Sequence, residues 1–396
     1  MKNRHHLLLC LCTTFTLPAC GQDEAGGEAG GEAGGEDTGV ADGGTGETGS
    51  SDDGNVPSGV PILGDGTHDV GNLEVVQVSG PEDGLNQPTD LEFNPDQAGA
   101  LWVTNIADFS VVVIGDAGKA TQGTVKIRDE FDGGQHFLAK PAALAFGANG
   151  GFATAQQEDG FTQPDTPFDF MGPTLWTSDF YDFTGGHFGH LDMLHNSPLS
   201  SGVAWAGGNM YWIYDGSHRS LTLYDFAADH GLGGTDHSDG VVYRYVEGQL
   251  GYQPGQVPHH VEFDMDSGMV YAADPANARI VRLDPSTGVI GSFIGPDYDG
   301  GTQRRMDDAV LDILVDGPTV VPAMKMPSGI TLHDGMIFVS DHELSRLYAF
   351  SMSGALLDWV DLGLPAGSLV GFTFADDGSL YFADKLGSRV FRINAP

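Results

Sequence analysis

The sequence is short of positive charge, of cysteine and of long apolar runs. Only 17 Lys and Arg face 55 Asp and Glu, a formal net charge of −38 over 396 residues. A basic face able to neutralise phosphates cannot be assembled from that inventory, which argues against nucleic acid as a partner. The three cysteines are Cys10, Cys12 and Cys20, so nothing beyond residue 20 can supply a disulfide or a thiol nucleophile. The apolar run from Leu7 to Thr16 is too short to span a bilayer. There is no Gly-x-Ser-x-Gly elbow, P-loop, dinucleotide fingerprint or His-Glu-x-x-His helix. Helix periodicity is also scarce: Arg305 to Val315 is the one stretch that reads that way, so a βαβ fold is not expected.

What is present begins with an address. Met1-Lys2-Asn3-Arg4 is basic, an apolar stretch follows, and Leu17-Pro18-Ala19-Cys20 resembles a bacterial lipobox. That match implies a signal peptide over 1–20, cleavage before Cys20 and acylation of its thiol. Several acyl chains on one cysteine anchor firmly. The expected location is therefore the bacterial cell envelope, outer membrane or periplasm, with the membrane reached through Cys20. An ordinary signal peptide with a chance cysteine is the alternative. Residues 21 to 60 carry ten acidic residues, no basic ones and a recurring Glu-Ala-Gly-Gly. Such a segment cannot offset the entropy of ordering and is expected to be a disordered, extended tether.

Residues 61 to 396 repeat. A short strand ending in a polar or acidic residue recurs as Leu101–Asn105, Tyr211–Asp215, Val270–Asp274, Ile337–Asp341 and Leu380–Asp384. Each follows a turn and an earlier strand, namely Pro88–Phe93, Ser201–Trp205, Pro258–Phe263, Pro327–Leu332 and Leu369–Phe374. A degenerate pair, Pro141–Phe146 and Gly151–Gln156, makes six. Outgoing strands such as Arg279–Asp284 and Arg389–Ile393 complete small antiparallel meanders. With 59 Gly and 21 Pro to make turns, this reads as an all-β chain, a six-bladed β-propeller. Arg389–Ile393 stops where a blade's third strand belongs, and Leu73–Val78 is a spare strand. Pairing the two would close the ring and cover an edge.

Asp274 and Arg279, Asp341 and Arg346, and Asp384 and Arg389 carry the Asp-then-Arg spacing that resembles the NHL-repeat propellers. The likeness spans roughly residues 85 to 396. It is similar to the broader group holding the gluconolactonase/regucalcin propellers and the peptidyl-hydroxyglycine amidating lyase, and it implies the fold more than an activity. A role needed once per protein would not recur in every blade, so the Asp and Arg residues read as in-blade ion pairs.

Departures from the repeat are more informative. Five of the six inner-strand entrances carry pairs such as Thr89-Asp90 or Ser201-Gly202, but one carries His259-His260. His195 precedes the third entrance and is expected on the same rim, as are His218 and His342. Imidazoles converging there with Asp90 would suit a divalent metal such as zinc. The amidating lyase's zinc-holding Pro-His-x-aliphatic entrance is matched once, by Pro258–Val261. A second cluster, Asp229, His230, Asp236, His237 and Asp239 with four glycines, could wrap calcium or form a polar hairpin loop. Asp297 and Asp299 are a weaker version of that signal. Two classes of function follow. One is a surface-tethered module binding a small molecule, peptide or protein at the propeller face. The other is a metal-dependent lyase or lactonase working at the channel mouth, with His259, His260 and His195 as ligands.

Overall fold

The computed structural model describes residues 59–128, 138–160, 172–184 and 190–396. The signal segment, Cys20 and nearly all of the acidic stretch lie outside the described residues. No helix among the described residues is long and apolar enough to cross a membrane.

Six sheets, antiparallel but for one strand pair, form six blades. Their innermost strands are Pro88–Phe93, Pro141–Phe146, Ser200–Trp205, Val261–Asp264, Pro327–His333 and Leu369–Phe374. These neighbour one another in cyclic order, the sixth returning to the first, so they line a common axis. Gly-rich turns let most of the short β-branched and aromatic strands fold straight back on their neighbours. The faces between blades carry the core. Between blades one and two, Trp102 meets Phe146, Phe152 and Phe183 at centroid distances of 5.5, 5.2 and 5.4 Å. Strand aromatics therefore serve as inter-blade packing.

The sixth blade takes its outermost strand from the start of the propeller. Val75–Ser79 pairs antiparallel with Arg389–Ile393, Val75 opposite Ile393. The edge that the C-terminal strand would otherwise expose is thus covered.

Two features depart from the sequence expectation. Arg305 to Val315 is not helical: it falls in two strands, Thr302–Asp307 and Val310–Asp316. Asp308 sits at φ 61° between them, a left-handed kink that no α-helix accommodates. The apolar spacing of Met306, Ala309, Val310 and Ile313 mimics a helical stripe only because it spans that kink. Secondly, blade four lends a hairpin to blade three. After its third strand, Arg279–Asp284, the chain forms Val289–Phe293 and Thr302–Asp307, and the latter runs parallel to Val241–Tyr245. Blade three is therefore a six-stranded sheet, and the chain then returns with Val310–Asp316 to finish blade four.

Candidate functional site

At the second position of the six inner-strand entrances stand Asp90, Ala143, Gly202, His260, Gly329 and Gly371. Blades one and four stand opposite each other in the ring, so Asp90 and His260 meet across it, with His260 Nδ1 3.6 Å from Asp90 Oδ1. Glycine elsewhere makes the room. A Cβ at Gly371 would fall 2.7 Å from Asp90 Oδ1 and 2.8 Å from His260 Cε1. Asp90 also clamps the neighbouring blade, accepting from the Leu144 amide at 2.9 Å and from its own neighbour Leu91 at 2.9 Å.

One layer deeper, Glu92 and Glu262 occupy the equivalent positions of blades one and four. Glu92 accepts from the Phe146 amide at 3.3 Å. Both side chains are half-buried, and burial governs their charge. Burial pushes the Asp90 carboxyl up to about 8. Glu92 also rises to about 8, through burial and then the charge of Asp90. Glu262 is held well above the usual carboxylate range by burial, then by Glu92 and Asp90. Three carboxyls that raise one another's pKa do not all ionise readily. Burial likewise lowers His260 to about 4, against a smaller pull from the Ala142 backbone, so the imidazole is neutral. Its Nε2 is buried without a hydrogen-bond partner.

The mouth above this pair is spanned by the chain itself. Residues 251–258 run across it as a strap, held from two sides: Lys385 of blade six donates to the Gln256 carbonyl at 2.6 Å, and Gln157 of blade two donates to the Val257 carbonyl at 3.0 Å. His259 belongs to the strap's foundation rather than to a ligand set. Its Nδ1 lies 2.9 Å from the Val257 carbonyl and its Nε2 accepts from the Gln253 amide at 3.0 Å, so both ring nitrogens are engaged. Tyr252 stacks on it at 5.3 Å. Burial lowers its pKa to about 3.

His195 does not join the pair at the axis. The connection that carries it packs against the hairpin lent by blade four, where Asp299 takes its amide at 2.9 Å and its Nδ1 at 2.6 Å. The strand exchange between blades three and four, which the repeat pattern does not reveal, is the physical reason. His218 is bound to Asp215 at 2.8 Å and His342 to the Leu369 carbonyl at 2.8 Å.

The acids proposed as a calcium cage do not converge either. Asp229 accepts from Gly231 at 3.1 Å and Asp236 from Ser238 at 3.2 Å, each closing a local turn, while Asp239 accepts from Ala228, at the other end of the loop, at 3.2 Å. The imidazoles of the same loop, His230 and His237, instead turn inward onto Asp192 of blade two. Among the described residues these three form the one group whose ligand atoms all lie within 4.8 Å of one another. Asp192 was not singled out in the sequence. A signal was there, since it stands in a short alternating strand with His190, but its partners come from a different blade.

The repeated Asp and Arg residues are structural in two blades of three. Arg279 pairs with Asp274 at 2.8 Å and Arg389 with Asp384 at 2.7 Å. Arg346 turns instead to Asp361 on its own outer strand, at 3.1 Å, while Asp341 caps the amides of Glu343 and Leu344.

On the strap side of the propeller a cleft of about 600 Å³ opens between blades three and four. Ser217, Arg219, Tyr252 and Asn277 supply its polar and aromatic lining, with Leu199 and Leu250 beneath. Arg219 is exposed and belongs to no ion pair among the described residues.

No family model matches the sequence, and no curated protein matches it. Solved propellers do. The fold is similar to an auxiliary nutrient-binding protein from Bacteroides ovatus, with 12% identity over 81% of this chain and 76% of that one and a TM-score of 0.51. A protein of unknown function from Bacteroides thetaiotaomicron gives 11% identity, coverages of 80% and 74%, and a TM-score of 0.52. A gluconolactonase from Xanthomonas campestris gives 12% identity, coverages of 83% and 92%, and 0.49. At such identities the likeness establishes a six-bladed propeller fold and nothing finer.

Proposed function

We propose that this chain is an exported, lipid-anchored propeller that binds a small polar ligand at the cell envelope, in the cleft beside the strap. The observation that carries this reading is the placement of Arg219, Tyr252 and Asn277 around that cleft, next to a mouth already filled by residues 251–258. A guanidinium, an amide, a hydroxyl and a ring suit a hydroxyl-rich ligand with at most one negative charge, such as a neutral or acidic sugar. The nutrient-binding propeller from Bacteroides ovatus gives the same scaffold a precedent for ligand capture. Lipidation at Cys20 and the acidic tether would hold the domain away from the bilayer.

Calorimetric titration with neutral sugars and uronates tests the cleft. Binding that weakens at least tenfold in Arg219→Ala and Tyr252→Ala supports it; binding unaffected by either retires it. Radiolabelled fatty acid should enter the wild-type chain and not Cys20→Ala.

The metal-dependent lyase or lactonase keeps one supporting observation, the buried and unpartnered His260 Nε2 beside Asp90. Lactone hydrolysis abolished by His260→Ala would favour it over binding alone.

A further inference from the structure

Asp192, His230 and His237 meet where the outermost strand of blade two, His190–Met193, faces the loop between the third and fourth strands of blade three. The loop is tied to that strand by backbone bonds: the His230 amide donates to the Leu191 carbonyl at 3.2 Å and the Gly233 amide to the His190 carbonyl at 3.2 Å. Side chains then converge. His237 Nδ1 is 2.7 Å from Asp192 Oδ1, His230 Nε2 is 3.0 Å from His237 Nδ1, and His230 Nε2 is 3.5 Å from Asp192 Oδ1.

With both imidazoles neutral and Asp192 ionised, the protons do not suffice for this arrangement. His230 Nδ1 lies 3.0 Å from the Gly231 carbonyl, so that nitrogen carries the ring proton and Nε2 presents a lone pair. His237 Nδ1 can bring a single proton, to be divided between that lone pair and the Asp192 oxygen. Asp192 is 0% exposed, and its other oxygen, Oδ2, has no hydrogen-bond partner. Two electron-rich atoms therefore face each other around one hydrogen, beside an orphaned carboxylate oxygen. Such a cluster is short of positive charge.

We propose that Asp192, His230 and His237 form a binding site for a zinc-class divalent cation that joins blade two to blade three. The three ligand atoms would occupy three corners of a tetrahedron. Metal–nitrogen distances of about 2.0–2.1 Å imply edges of roughly 3.3 Å, and the observed separations bracket that value. Zinc-class ions take this donor set of imidazoles and one carboxylate, whereas calcium prefers oxygen cages. The bond from His230 Nδ1 to a backbone carbonyl is the outer contact that fixes tautomer and ring orientation in metal-binding histidines. Gly234 makes that orientation possible, since a Cβ there would come 2.4 Å from His230 Nδ1. His190 is two positions before Asp192 on the same strand face, its ring 5.6 Å from that of His230, and is a candidate for the fourth corner.

The test uses the full mature chain, stripped with chelator and titrated with Zn²⁺. One equivalent should bind and raise the melting temperature, with millimolar Ca²⁺ unable to compete. His230→Gln and His237→Gln should each weaken binding by roughly 100-fold or more, since losing a ligand costs at least as much as losing an outer contact. Asp229→Ala, which opens an exposed turn of the same loop, should bind as the wild type does. Absence of stoichiometric zinc in the wild-type protein, or binding undiminished in both glutamine variants, overturns the proposal. Should those variants fail to fold, Co²⁺ in the wild-type chain decides: intense visible bands of a tetrahedral ion support the site, and weak octahedral bands or none refute it.

Discussion

Lys385 donates to the carbonyl of Gln256 at 2.6 Å, joining blade six to the segment that crosses the channel mouth. The ammonium is buried, and that burial lowers its pKa to about 8. A charged donor placed there holds the strap down over His259 and His260.

Removing that donor should loosen the strap without unfolding the ring. In Lys385→Ala, loss of a charge-assisted bond of about 1.5–3 kcal/mol should speed amide exchange at residues 252–257 by roughly 10- to 100-fold. Hydrogen-exchange mass spectrometry measures this, with the inner strands as the unchanged reference.

The channel carboxyls make stability depend on pH in an unusual direction. Asp90 and Glu92 keep their protons up to about 8 in the folded state but lose them near 4 when unfolded. The folded state then binds more protons than the unfolded one between those limits, so their contribution to stability is full below about 4 and falls as pH rises towards 8. Glu262→Gln removes one buried acid and should raise the melting temperature at pH 8.5 while changing little at pH 4. Equal shifts at both values would refute the assignment.

Gly371→Ala should destabilise by about 1–3 kcal/mol, because its Cβ has nowhere to go between Asp90 and His260. Gly123→Ala is the control, since nothing lies within 4 Å of the added carbon. Urea denaturation compares the two.

Asp274 is buried and receives Arg279 at 2.8 Å, the Gly251 amide at 3.1 Å and the Tyr214 hydroxyl at 3.3 Å. Asp274→Ala removes the acceptor shared by Arg279 and the Gly251 amide, leaving the guanidinium its bond to the Gln249 carbonyl, and should cost about 1.5–3 kcal/mol. Asp229→Ala, which only opens an exposed turn, should cost less than about 1 kcal/mol in the same denaturation experiment.

The architecture was readable in the sequence because each blade repeats the same local grammar: an alternating strand, a glycine turn, and a strand ending in a polar residue. The pairing of Asp90 with His260 was readable for the same reason, since both occupy one register position in different copies. What the repeat could not reveal was exchange between copies. His195 meets Asp299, and His230 and His237 meet Asp192, only because a hairpin and a loop leave their own blade for the next. The engagement of His259 was hidden similarly, in backbone groups whose positions depend on the path of residues 251–258. Even the mistaken helix over 305–315 came from a pattern of side chains that a single left-handed residue, Asp308, interrupts.

The loan of Val289–Phe293 and Thr302–Asp307 has a temporal side. Blade three stays without its two outermost strands until most of the chain of blade four is in place, and blade four waits for the chain to come back with Val310–Asp316. Neighbours that share a thread in this way cannot mature or melt singly. They form one cooperative unit, and a proteolytic nick between residues 294 and 301 would unseat both at once.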